Sequence, residues 1–180
     1  MQDVYDIECE QTLCFTGHRP DKLFGYNYRT TGNRMILLKL RALIERFIVK
    51  RGITTFISGM ALGIDMWSAQ IVLQLKEKYP HIKLVCAVPC ANHSIKWNEE
   101  DQQIHKDILE QADLVHYVST EPYTPWCMNK RNEMMVDSSN YVIAIWDGVE
   151  DGGTWNTVKY AKKRQVSMIK MHPTTLEITT

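Results

Sequence analysis

The feature that most constrains this chain is an alternation. Short apolar runs of strand length give way repeatedly to longer segments whose apolar residues recur at helical spacing. Residues 12–16 (TLCFT) form a short apolar run that stops at Gly17. Ile36, Leu40, Leu43, Ile44, Phe47 and Ile48 then recur at helical spacing before Gly52, which predicts a helix over residues 33–51. Residues 54–58, 82–88, 114–118, 141–146 and 166–171 read as further strands. Segments 64–75, 98–112, 127–137 and 154–164 read as the helices between them. Strands alternating with helices form parallel β–α–β units, and right-handed crossovers then favour a doubly wound sheet. The expected fold is α/β: a Rossmann-like, doubly wound, mainly parallel sheet flanked by helices on both faces. Ligands are expected outside the carboxyl ends of its strands. With 180 residues and no linker or low-complexity tract, the expectation is a polar N-terminal segment over residues 1–11 and one Rossmann-like domain over residues 12–180.

Composition narrows the function classes. Hydrophobic residues make up 44% and charged residues 23%, which suits a packed core and argues against disorder. Lys and Arg together number 21, as do Asp and Glu, so the net charge is zero. A generic basic nucleic-acid binder would show a positive excess, so the sequence argues against a nucleic-acid partner. No apolar run approaches the roughly 20 residues of a membrane helix, so no membrane partner is expected. Asp3, Asp6, Glu8 and Glu10 precede the first basic residue, Arg19, unlike a secretory leader. Five cysteines without a CxxC pair argue against a disulfide framework and favour a reducing, cytoplasmic setting. Helical faces rich in Met and Leu permit a homo-oligomer.

The informative residues follow strands. After the first comes Gly17-His18-Arg19-Pro20, where Gly17 permits a tight turn and Arg19 offers a forked cation for phosphate or carboxylate. Read alone, this is also an ordinary turn with a surface arginine. After the second comes Ser58-Gly59-Met60-Ala61-Leu62-Gly63-Ile64-Asp65. Its glycines let backbone N–H groups approach an anion at a helix N-terminus, while Asp65 either caps the helix or accepts from a ribose or base. After the fifth comes Asp147, then Gly152-Gly153-Thr154 opening the last helix, a second anion cradle with a hydroxyl donor. Arg131 and Asn132 suit phosphate and sugar hydroxyls, or a solvated first turn. Trp97 and Trp126 lie in loops at the same end of the sheet, where a ring either stacks on a base or packs in the core. GxGxxG after the first strand, GxxxxGK[ST], HExxH and GxSxG are all absent. Cys90 and His93 lack a second matching pair, so neither a metal nor another cofactor is expected.

These motifs in this order resemble the SLOG superfamily. The TGHRP and SGMALGID turns look like its YpsA-like branch, and the later KRNxxMVDxS run and GGT turn fit as well. The resemblance spans roughly residues 12–171. It implies a Rossmann-like fold that binds nucleotides or nucleotide-derived ligands, in a superfamily that includes LOG phosphoribohydrolases and DNA-processing DprA proteins. Carried over by position, it places Gly17, Arg19, Ser58, Gly59, Gly63, Asp65, Arg131, Asn132, Gly152, Gly153 and Thr154 around the ligand; His18, Trp97 and Asp147 join them from the reading of the turns. The LOG pattern resembles PGGxGTxxE. Here Trp155, Asn156, Thr157, Val158 and Lys159 follow Thr154, so the carboxylate that would stabilise an oxocarbenium-like state is missing. The leading expectation is a module that senses or sequesters a small phosphorylated nucleotide derivative, of the ADP-ribose or cyclic-nucleotide type. An N-glycohydrolase, with Asp65 as the surviving carboxylate, and a nucleotide-switched interaction module are the alternatives.

Overall fold

The computed structural model describes residues 11–180. Apart from Gln11, the expected N-terminal segment lies outside the described residues. Seven strands form one sheet in the order β4-β3-β2-β1-β5-β6-β7. They are β1 (Thr12–Gly17), β2 (Thr55–Ser58), β3 (Lys83–Val88), β4 (Leu114–Tyr117), β5 (Tyr141–Ile145), β6 (Ser167–Met171) and β7 (Ile178–Thr179). The helices between them are α1 (Thr31–Arg51), α2 (Ile64–Lys76), α3 (Glu99–Gln111), α4 (Cys127–Asp137) and α5 (Gly152–Arg164). Every pairing is parallel except β6 with β7, which is antiparallel. This is the doubly wound Rossmann-like α/β fold that the alternation predicts.

The apolar runs become strands because the central strands are buried on both faces. Alternation along each strand sorts their side chains into two layers. Leu13, Phe15, Phe56, Leu84, Cys86, Ile143 and Ile145 pack with α1, α2 and α3 residues such as Ile44, Ile64 and Ile108. Cys14, Ile57, Val85, Ala87 and Val142 face the other way, onto Met135 and Val136 of α4 and Ala161 of α5. The chain thus winds outward from β1 to β4 with three helices on one face. It then crosses back through α4 to β5, and α4 and α5 cover the other face.

Three departures from expectation have local causes. Helix α1 starts at Thr31 because Thr30 caps it, its hydroxyl accepting from the Asn33 N–H at 3.4 Å. Helix α5 starts at Gly152, so both glycines belong to its first turn. Strand β7 is only two residues long and exists through its pairing with β6, which no local pattern announces.

Candidate functional site

The switch point of the sheet lies between β1 and β5, which run side by side with Gly17 opposite Ile145. Their carboxyl ends open into a cavity of about 290 Å³. Its walls come from four connections: Gly17, His18 and Arg19 after β1, Ala61 and Asp65 at the start of α2, Met128 to Asn132 on α4, and Asp151 to Thr154 at the start of α5. Asp21 and Lys22 reach it from a 3-10 turn at Pro20–Lys22 that folds the chain back after Arg19.

Arg131 is the centre of the arrangement. It is 5% exposed, and its Nε donates to Asn132 Oδ1 at 2.8 Å. Its Nη1 lies 3.5 Å from Asp65 Oδ2, an ion pair without hydrogen-bond geometry, so among the described residues the buried Nη1 has no hydrogen-bond acceptor. Gly59 makes this placement possible: a Cβ there would stand 2.6 Å from Arg131 Cζ and 2.7 Å from Asp65 Oδ2. Burial pushes the Asp65 carboxyl above its ordinary value, and Arg131 opposes that rise. Burial likewise draws Arg131 down while Asp65 holds it up. Each charge makes the other's desolvation tolerable.

The β2–α2 turn is rigid. Ser58 Oγ donates to the Asp65 carbonyl at 2.8 Å and accepts from the Met60 N–H at 3.2 Å. Met60 is buried at a φ of 58°, a conformation costly for a side chain of this kind and held here by its surroundings. Gly63, at a φ of 90°, lets α2 begin against the His18 carbonyl, which a Cβ would approach to 2.7 Å. On the other side, His18 is buried and ties β1 to β5. Its Nε2 lies 3.0 Å from Asp147 Oδ1 and 3.2 Å from the Asp147 backbone nitrogen. Partial burial of Asp147 is outweighed by the Val149 N–H and His18, leaving its carboxyl below the ordinary range.

Helices α2, α4 and α5 all begin at this cavity, and none has a side-chain cap. Their positive dipole ends meet at this space, although the Ile64 and Met66 N–H groups of α2 and the Cys127 N–H of α4 already donate to the carbonyls of His18, Ala61 and Thr124. Arg19, Lys22 and Arg131 add positive charge there, beside the carboxylates of Asp21, Asp65 and Asp151. An anion with several oxygens fits such a surface. Among the described residues, no group of three His, Cys, Asp or Glu side chains is placed to hold a metal ion.

Nine sequence-predicted residues line the cavity: Gly17, His18, Arg19, Asp65, Arg131, Asn132, Gly152, Gly153 and Thr154. Ser58, Gly59, Gly63 and Asp147 stand behind this surface and shape it. Trp97 lies elsewhere. It packs against His93 and His105, with ring centroids 5.0 and 5.3 Å away, in the β3–α3 connection. Sequence reasoning missed Asp21, Lys22, Asn129 and Asp151. Lys22 had a signal, the Pro20-Asp21 pair, since proline suits the first position of a helical turn.

Fold and cleft define a Rossmann-like α/β protein with a cavity at the switch point. The YpsA family model, described as the YspA SLOG family, matches residues 13–178, and the chain belongs to that family. Among its relatives, a UPF0398 protein of Brevibacillus brevis is 31% identical over 153 residues, covering 84% of this chain and 81% of that protein. The SPbeta prophage-derived protein YoqJ of Bacillus subtilis is 36% identical over 148 residues, covering 75% and 86%. Among solved structures, DNA processing protein A from Streptococcus pneumoniae superposes with a TM-score of 0.60 at 14% identity. That likeness covers 89% of this chain, which spans half the length of the pneumococcal protein. DNA processing protein A from Helicobacter pylori, described by its single-stranded DNA binding mode, gives 0.61 at 15% identity, over 94% of this chain and 68% of that one.

This last neighbour corrects an expectation. Zero net charge argued against a nucleic-acid partner. A protein of the same fold with a single-stranded DNA binding mode removes that exclusion. The physical reason is that local fields, not net charge, decide what a cleft attracts. No helix among the described residues is long and apolar enough to cross a membrane.

Proposed function

We propose that the cleft binds a nucleotide through its phosphate. The observation that carries this reading is Arg131: a buried guanidinium whose Nη1 has, among the described residues, no hydrogen-bond acceptor beyond the long 3.5 Å ion pair with Asp65. Buried donors left unpaired are rare and costly, and a phosphate oxygen would complete this one. The unpaired N–H groups at the start of α5, with Arg19 and Lys22 on the rim, would hold the remaining oxygens. A ribose would fall near Asn129 and Asn132.

The test is calorimetric titration with AMP, dTMP and inorganic phosphate. Arg131→Ala and Arg19→Ala should each weaken nucleotide binding by about 1–3 kcal/mol, the worth of a charge-assisted hydrogen bond. Arg19 is exposed, so its variant keeps the fold even where Arg131→Ala does not. Unchanged affinity in both variants would reject the cleft. Chromatography of the same samples tests hydrolysis, which one observation favours: the Asp65 carboxyl lines the cavity and burial raises it toward the neutral acid. Free base that disappears in Asp65→Asn would establish turnover, whereas intact nucleotide would leave binding as the function.

A further inference from the structure

Residues 23–30, the last part of the loop leading into α1, take no part in the cleft, yet they are firmly built. Asn33, fully buried in the first turn of α1, commits its whole amide to this loop. Its Nδ2 donates to the carbonyls of Gly25 and Asn27, both at 2.9 Å, and its Oδ1 accepts from the Phe24 N–H at 3.3 Å. The Phe24 ring lies against Gly32, where any Cβ would collide with it. So anchored, the loop holds two tyrosines out to solvent: Tyr26 is 63% exposed and Tyr28 43%.

These rings edge a groove. Under them lies a cavity of about 440 Å³, whose walls include Pro20, Arg29 and Trp67. It runs into a second, of about 380 Å³, that shares Tyr28, Arg29, Trp67 and Gln70 and adds Arg34 and Arg41. No carboxylate lines this second stretch. Arg34 and Arg41 stand seven positions apart on α1, so they share a helix face. At the other end the groove and the phosphate cleft are bordered by successive residues, Pro20 lining the one and its neighbours Arg19 and Asp21 the other.

We propose that this groove carries a single-stranded nucleic acid, one nucleotide of which occupies the phosphate cleft; the proposal rests on the cleft reading above. Exposed aromatic faces beside a row of cations are what a strand needs, since every base can stack and every phosphate carries charge. The guanidinium of Arg29 already lies 5.4 Å from the Tyr28 ring centre, in cation–π contact. Polarity along the groove sets the orientation of the strand. Glu100 and Asp101, in the first turn of α3, also line the first stretch and repel phosphate there, whereas the second stretch along α1 has arginines. The backbone of the strand therefore follows α1, and its bases turn toward Tyr26 and Tyr28.

The experiment is fluorescence anisotropy with a labelled oligothymidylate, beside calorimetry with dTMP, on the full chain. The oligonucleotide should bind more tightly than dTMP. Tyr26→Ala with Tyr28→Ala should weaken it by about tenfold or more while leaving dTMP unchanged. Replacing Arg29, Arg34 and Arg41 together by Ala should flatten the slope of log affinity against log salt by about 2. Equal affinity for dTMP and oligonucleotide, or oligonucleotide binding indifferent to all these variants, would overturn the groove and leave the cleft reading intact. Oligonucleotide binding lost in the variants, in a protein that ignores dTMP, would keep the groove and overturn the cleft. A dimer in sedimentation that the same variants dissociate, without oligonucleotide binding, would give this face to a second copy of the chain and overturn the proposal.

Discussion

At the scale of single residues, the site depends on a missing side chain as much as on those present. Gly59 has ordinary backbone angles, and what it supplies is space for the Arg131 guanidinium. Gly59→Ala should therefore shift Arg131 and leave the strand order untouched. We expect a stability loss of about 1–3 kcal/mol in urea titration, as for other overpacked sites. Nucleotide affinity should fall at the same time, so that calorimetry on the folded variant reads a defect that the loss of stability does not explain. Full affinity in Gly59→Ala would mean that the guanidinium contributes nothing to binding. Gly59 and Arg131 were both legible as turn and phosphate residues. Their dependence on one another was not, because the contact joins β2 to α4 across the top of the sheet.

At the scale of elements, the connection between β3 and α3 shows where a local reading fails. Trp97 sits in a loop at the correct end of the sheet, a place that left stacking on a base and packing in the core equally open. The loop instead turns inward and packs Trp97 edge-on to His93 and His105. Nothing in the intervening residues signals that direction, which is set by the hydrophobic layer beneath it. The packing has a titratable signature. Burial, with help from the charge of Arg131, draws His93 down to about 3, and burial lowers His105 as well. The folded protein keeps the His93 ring neutral well below pH 6.5, where the unfolded chain protonates it. Below that pH the unfolded state binds protons that the native state refuses, so stability falls as pH drops from about 6.5 toward 3. Urea midpoints measured across this range should decline, and His93→Gln should make the decline shallower. A variant as acid-sensitive as the wild type would remove His93 as the cause.

At the scale of the whole molecule, the architecture was the most legible part. Central strands buried on both faces must be apolar throughout, and helices covering a sheet must be amphipathic, so both leave periodic marks. Strand β7 left none, because two exposed residues at an edge are recruited by β6 and not by their own pattern. The cleft was partly legible, since the switch-point rule locates it and glycines mark its turns. Lys22 and Asp21 escaped notice because a 3-10 turn brings them back to a site they follow in sequence. The dispersal of the cleft has a thermodynamic consequence. Its walls belong to segments near both ends of the described chain, and they meet only when the sheet has closed. No partly unfolded form that has lost β1 or β5 retains the site. A nucleotide bound as proposed would thus be linked to the global opening reaction and not to the fraying of one loop. Hydrogen exchange should slow most at the amides that exchange only by complete unfolding, those of β1 and β5 in the centre of the sheet, by the full factor 1 + [L]/Kd. Protection confined to the rim of the cleft would instead describe a ligand that the native core does not feel.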